Sequence, residues 1–188
     1  AVQSFWFAFT LFPDGVGRLD QYLYPLYQSD LAAGRITREE AEELIQALFV
    51  HIFGILGPEE IRSGNHHMVA GGYTADGRDG WNEVTDIILG AVVELPTWRP
   101  QLSLRWTKLL SPDRLARAVR ANRDRSDLVM FLNDDAILKG LSSIGIPFED
   151  AVEYSVSGCN ELVLTGMSQM GALEGHYNAM FAVDRALR

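Results

Sequence analysis

Tyr154-Ser-Val-Ser-Gly-Cys-Asn-Glu-Leu162 holds the only cysteine of the 188 residues, Cys159, with an acid, Glu161, two positions on. A short apolar run leads in and Gly158 immediately precedes the thiol. The pattern predicts a buried strand that ends in a tight loop. In an extended segment residues i and i+2 face the same side about 6–7 Å apart, so a small substrate could sit between thiol and carboxylate. A free cysteine is more often inert packing than chemistry, and the stretch alone leaves both readings open.

The segments before it give the fold class. Asp127–Leu132 is a compact apolar strand followed by Asn133-Asp134-Asp135, which caps a helix over Ala136–Ser143; Pro147–Glu153 is a short helix. Leu102–Trp106 alternates like a strand. Ser111 and Pro112 supply an N-cap and a first-turn proline for a helix reaching about Asn122. Met68–Gly72 reads as a short strand. Trp81, Val84, Ile87, Ile88 and Ala91 form an apolar helical stripe, as do Ala41, Leu44, Ile45, Leu48, Phe49 and Ile52, whose helix opens with a capping box from Thr37 to Glu40. Arg18–Tyr27 is helical with an expected interruption near Pro25, and Phe5–Phe12 looks like a buried strand. Strands alternating with helices of 10–15 residues imply an α/β fold with a mainly parallel sheet, in which functional loops gather at the carboxyl ends of strands.

Composition narrows the function. Hydrophobic residues make up 47% of the chain, enough for a substantial core, and 16 Lys+Arg against 25 Asp+Glu give a net charge of -9. That balance argues against nucleic acid or an anionic membrane as partner. One cysteine excludes an internal disulfide or a Cys-rich metal cluster and suits a reducing cytoplasm. Gly71-Gly72 and Gly77/Gly80 fit neither phosphate-loop spacing and read as turns and tight packing. His66 and His67 are adjacent and face opposite ways on a strand, so they make a poor metal pair. His67 and His176 remain candidates to line a pocket, and His51 reads as a core histidine.

Glu161 bears on what Cys159 can do. A neighbouring carboxylate disfavours a thiolate, which counts against an ionic nucleophile. It does not oppose homolytic chemistry, in which a neutral S–H loses a hydrogen atom and the resulting thiyl takes hydrogen from a substrate carbon. The carboxylate can then remove the proton of an adjacent hydroxyl as general base.

On these residues the chain resembles a family. Gly158-Cys-Asn-Glu161 is similar to the Gly-Cys-x-Glu signature of glycyl radical enzymes in the pyruvate formate-lyase-like superfamily. Further blocks follow in family order: Gly17-Arg-Leu-Asp-Gln-Tyr-Leu-Tyr-Pro25, Asp30–Gly34, Gly71–Gly77, Asn82–Thr85, Pro100–Arg105, Phe131–Asp134 and Gly145–Asp150. The resemblance implies a ten-stranded α/β barrel of two half-barrels, of which residues 1–188 would form about one half, without the N-terminal portion and the C-terminal glycyl radical domain. It implies a radical lyase or dehydratase with Cys159 as the thiyl-forming residue and Glu161 as the base. Asn178 falls where some dehydratases place a substrate-binding Asp, so Asn178, His176 and His67 are the pocket candidates.

No cofactor is expected on this segment. The glycyl radical would be installed on a separate C-terminal domain by an S-adenosylmethionine/iron–sulfur activating enzyme, since no Arg-Val-x-Gly-Tyr/Phe motif occurs in the sequence. Expected partners are a small-molecule substrate, that activating enzyme and a second copy in a homodimer. The expected setting is the cytoplasm of an anaerobic bacterium, a microcompartment included. Gly158 stands where pyruvate formate-lyase has a first cysteine, which disfavours formate-lyase chemistry. Phe12–Val16 lacks the His-Ser stretch of the polyol dehydratases, which disfavours glycerol and propanediol. The absent radical motif leaves a second reading open, a catalytically inactive remnant or binding module that keeps the half-barrel.

Overall fold

The computed structural model describes residues 15–56, 67–157, 160–168 and 185. The expected strand over Phe5–Phe12 lies outside them. Four strands form one parallel sheet in sequential order: β1 (Gly15–Arg18), β2 (His67–Gly71), β3 (Leu102–Trp106) and β4 (Val129–Asn133). The crossovers are α1 (Leu19–Ala32) with α2 (Arg38–Leu56), then α3 (Glu83–Glu94), then α4 (Pro112–Asp124). A fifth helix, α5 (Asp134–Ser143), and a short α6 (Phe148–Ala151) lead to β5 (Tyr154–Ser157) and β6 (Glu161–Leu164), which pair antiparallel as a separate two-stranded sheet.

The parallel sheet is covered on both faces. Met68, Ala70, Leu102, Leu104 and Val129 pack with Leu19, Leu23, Leu48, Ile52, Ile88 and Val92 of the helices. The opposite face meets a smaller cluster of Tyr73, Leu138, Ala151, Val152 and Tyr154. Every residue of β2 is buried, as expected of a strand covered on both sides.

Local chemistry sets the helix starts. Ser111 caps α4, with Pro112 in its first turn. The Thr37 hydroxyl accepts from Glu40 N and the Glu40 carboxylate accepts from Thr37 N. Asn82 makes a reciprocal pair with Thr85 at the start of α3. The interruption expected near Pro25 does not occur, and α1 runs unbroken through it. Pro25 removes one intrahelical bond, but Leu19, Leu23 and Tyr27 are all buried on one stripe, and that packing holds the helix together. Asp20 anchors α1 to the sheet. Its fully buried carboxylate accepts from Gly71 N at 2.8 Å, Thr85 Oγ1 at 2.6 Å and Gln21 N at 2.8 Å. Burial pushes its pKa upward, against the pull of those donors. Among the described residues no helix is long and apolar enough to cross a membrane.

Candidate active site

The two flanks of the cysteine stretch pair as a hairpin. β5 and β6 pair with Tyr154 opposite Leu164 and Ser157 opposite Glu161. Asn160 N donates to the Ser157 carbonyl at 3.1 Å, and Asn160 has φ 85°, a left-handed conformation that Asn tolerates better than most residues. The expected buried strand with a tight loop at its end is present as β5, while the expected spacing of Cys159 and Glu161 lies outside the described residues. The chain reverses between Ser157 and Glu161, and the two do not lie along one strand. Glu161 opens β6, exposed, on the same face as Ser157, because directly opposed residues share a face. Cys159 and Gly158 lie outside the described residues, as do His176, Asn178 and His66.

β5 crosses the face of the parallel sheet opposite α1–α4. Its base lies at the carboxyl ends of β1 and β3, where Arg18 and Arg105 reach the Val152 and Tyr154 carbonyls. Farther along, β5 lies against Gly15, where an added Cβ would stand 3.0 Å from the Val156 oxygen. Gly15 pairs with His67, so β5 runs from the carboxyl edge of the sheet back to its amino edge. Cys159 follows β5 in sequence, as expected, and the base of the hairpin lies at the carboxyl ends of the parallel strands.

This path gives His67 a place. Its ring is fully buried, and Nδ1 lies 3.2 Å from the Ser103 hydroxyl. Ser103 and Arg105 alternate on one face of β3, and Arg105 bonds to β5. His67 thus sits on the hairpin's side of the sheet, at the end toward which β5 runs.

A polar cluster absent from the sequence-based candidates holds the base. Arg105 donates from Nε and Nη2 to the two oxygens of Asp134 at 2.8 and 2.9 Å. Its Nη1 donates to the Val152 and Tyr154 carbonyls at 2.9 and 3.0 Å. The guanidinium carbon lies 3.8 Å from the centre of the Tyr154 ring. The Tyr154 hydroxyl donates to Asp134 at 2.6 Å, and burial raises that phenol's pKa. Arg18 donates to Val152 O at 2.9 Å, Glu153 Oε1 at 3.0 Å, Gly71 O at 3.2 Å and Tyr73 O at 2.7 Å. Burial first, and then the nearby Arg105, lowers its pKa, although a guanidinium remains charged at any ordinary pH. Asn133 caps α5 as expected, accepting from Ala136 N at 3.2 Å, whereas Asp134 turns inward. Polar residues at alternate positions of a strand buried on both faces, Ser103 and Arg105, were the available sequence signal.

The profile of the pyruvate formate lyase-like family matches residues 1–188. The chain belongs to that family. It is 35% identical over 155 residues to an isethionate sulfite-lyase of Nitratidesulfovibrio vulgaris, an alignment covering 77% of this chain and 19% of that protein. Among solved structures it is similar to hydroxyproline dehydratase from Clostridioides difficile with trans-4-hydroxy-L-proline bound, at TM-score 0.73 and 29% identity, covering 87% of this chain and 23% of that one. It is also similar to a glycyl radical enzyme from Archaeoglobus fulgidus, at TM-score 0.72 and 29% identity, covering 81% and 21%. The chain therefore spans about a fifth of the length of the pyruvate formate lyase-like proteins it matches.

Proposed function

We propose that these residues form the cysteine-bearing part of a glycyl radical lyase or dehydratase. Cys159 takes a hydrogen atom from a substrate carbon, and Glu161 moves a proton. The observation that carries this reading is the pairing of β5 with β6, which sets Glu161 opposite Ser157, two positions before Cys159 in sequence. Membership of the pyruvate formate lyase-like family supports it, as does similarity to a sulfite-lyase and a dehydratase.

The chemistry balances on these two side chains. The radical glycine, carried outside these residues and installed by an S-adenosylmethionine/iron–sulfur activating enzyme, supplies the oxidising equivalent that makes Cys159 a thiyl. The substrate C–H breaks homolytically and an S–H forms. A hydroxyl beside the resulting carbon radical is acidified, so an ordinary carboxylate suffices to take its proton. The deprotonated oxygen then forms a carbonyl as the neighbouring C–O, C–N, C–S or C–C bond breaks heterolytically, the leaving group departs with the electron pair, and the product radical left on the adjacent carbon recovers hydrogen from the Cys159 S–H. The buried flank Tyr154–Ser157 suits a thiol kept from water and oxygen. His67, oriented by Ser103, lines the pocket from the amino edge of the sheet, with His176 and Asn178 as further pocket residues. The parallel sheet is part of a ten-stranded barrel, completed by chain beyond these residues, in a homodimer.

The test is anaerobic activation of the full-length protein. An organic radical signal with product formation supports the reading, and Glu161→Gln should keep the signal while lowering turnover by about a hundredfold or more. A full-length protein with no glycyl radical motif, and no separate chain supplying one, would make the chain an inactive remnant or binding module instead.

A further inference from the structure

We infer that the Arg18–Arg105 pair is a positioning device for the Cys159 hairpin, fixing where β5 delivers its tip by holding the Val152 and Tyr154 carbonyls. The inference rests on reading Cys159 as the residue that abstracts hydrogen.

A strand is ordinarily held in register by its ladder to the neighbouring strand. Among the described residues β5 has such a ladder only with β6, and this pair forms no ladder with the parallel sheet. Side-chain bonds take over that task. The Val152 carbonyl accepts from both guanidiniums, at 2.9 Å each, and the Tyr154 carbonyl accepts from Arg105 at 3.0 Å. The same two arginines are tied to the sheet. Arg18 also holds the Gly71 and Tyr73 carbonyls at the end of β2, and Arg105 is fixed by two parallel bonds to Asp134. Both side chains are almost completely buried. An apolar filling would pack such a site at similar or better stability, but it could not hold a carbonyl in one place. Directional bonds from a planar, five-donor group can.

The lever is long enough to matter. Four strand residues span roughly 10 Å, so a tilt of about 5° at the base moves the tip by roughly 1 Å. A misplacement of that size lowers a rate on the order of a hundredfold when the reacting atoms must meet in a fixed geometry. The arginines meet the Tyr154 end of β5, and Cys159 follows its Ser157 end in sequence, so they are positioning residues that act through Cys159.

The experiment uses the activated full-length protein with Arg105→Lys, which keeps the charge beside Asp134 but loses the arm to Val152 and Tyr154. Radical content is read by electron paramagnetic resonance, together with kcat, KM and the deuterium isotope effect for substrate labelled at the abstracted position. The expected result is radical content near that of the parent, KM within about twofold, kcat lowered about tenfold or more and a larger isotope effect on kcat, as hydrogen transfer becomes limiting. Unchanged kcat and isotope effect would overturn the inference. So would turnover falling only in step with radical content, since that marks a general loss of fold. Should Arg105→Lys not fold, Arg18→Lys, which leaves the Arg105–Asp134 pair intact, is read by the same criteria. Cys159→Ser run in parallel separates the two claims. Turnover by that variant overturns the reading of Cys159, whereas a normal Arg105→Lys beside an inactive Cys159→Ser overturns the positioning role alone.

Discussion

The carbonyl of Val156 rests against Gly15, so close that a Cβ at position 15 would stand 3.0 Å from the oxygen. That approach brings the strand leading to Cys159 down onto the start of β1, beside the backbone of His67. It depends on the missing side chain at one position.

Gly15→Ala should therefore lift β5 from the sheet. Overpacking of this kind costs about 1–3 kcal/mol, read as a lower denaturant midpoint with an unchanged m-value. In the activated full-length protein it should also lower kcat more than it raises KM.

Gly72 is under a harder constraint. It has φ +84°, and a Cβ there would meet Arg105 Nε at 2.5 Å and Asp134 Oδ2 at 2.7 Å. Gly72→Ala should push the buried ion pair apart as well as strain the backbone, for a loss of about 3–5 kcal/mol. Gly90, in α3 with nothing within 4 Å of an added Cβ, makes the contrast: Gly90→Ala should stabilise by about 0.5–1 kcal/mol. Denaturant titration of the two variants checks both signs.

Tyr73 gives an alkaline signature. Burial, and then the hydrogen bond from its hydroxyl to Asp135 at 2.9 Å, pushes its pKa from 10 up to about 12. The folded value lies above the unfolded one, so the neutral phenol stabilises the fold fully below pH about 10, and that contribution is lost as pH rises toward 12. Tyr73→Phe should lack this loss. The stability difference between parent and variant, followed from pH 9 to 12, should shrink across that window; a flat difference would contradict the assignment.

Much of the sheet was legible because apolar spacing and caps act locally. Leu102–Trp106 is a strand over the expected residues, and Ser111-Pro112 starts its helix as read. The course of α1 through Pro25 was not legible, because the burial of Leu19, Leu23 and Tyr27 that outweighs the proline is a tertiary effect. The Gly-Cys-x-Glu stretch marked the end of a buried strand, but neither the antiparallel return over Glu161–Leu164 nor the path of β5 across the sheet was legible. That path is set by Arg18 and Arg105, which meet the Val152 carbonyl from 134 and 47 residues away in sequence. Asp134 shows the same limit. Beside Asn133 it reads as another capping acid, and only the fold brings it onto Arg105.

The most direct test of the central claim is Cys159→Ser in the anaerobically activated full-length protein, with radical content and product formation measured on the same sample. The account predicts an organic radical signal like that of the parent and no product. Product formation by Cys159→Ser at a rate near that of the parent would contradict it.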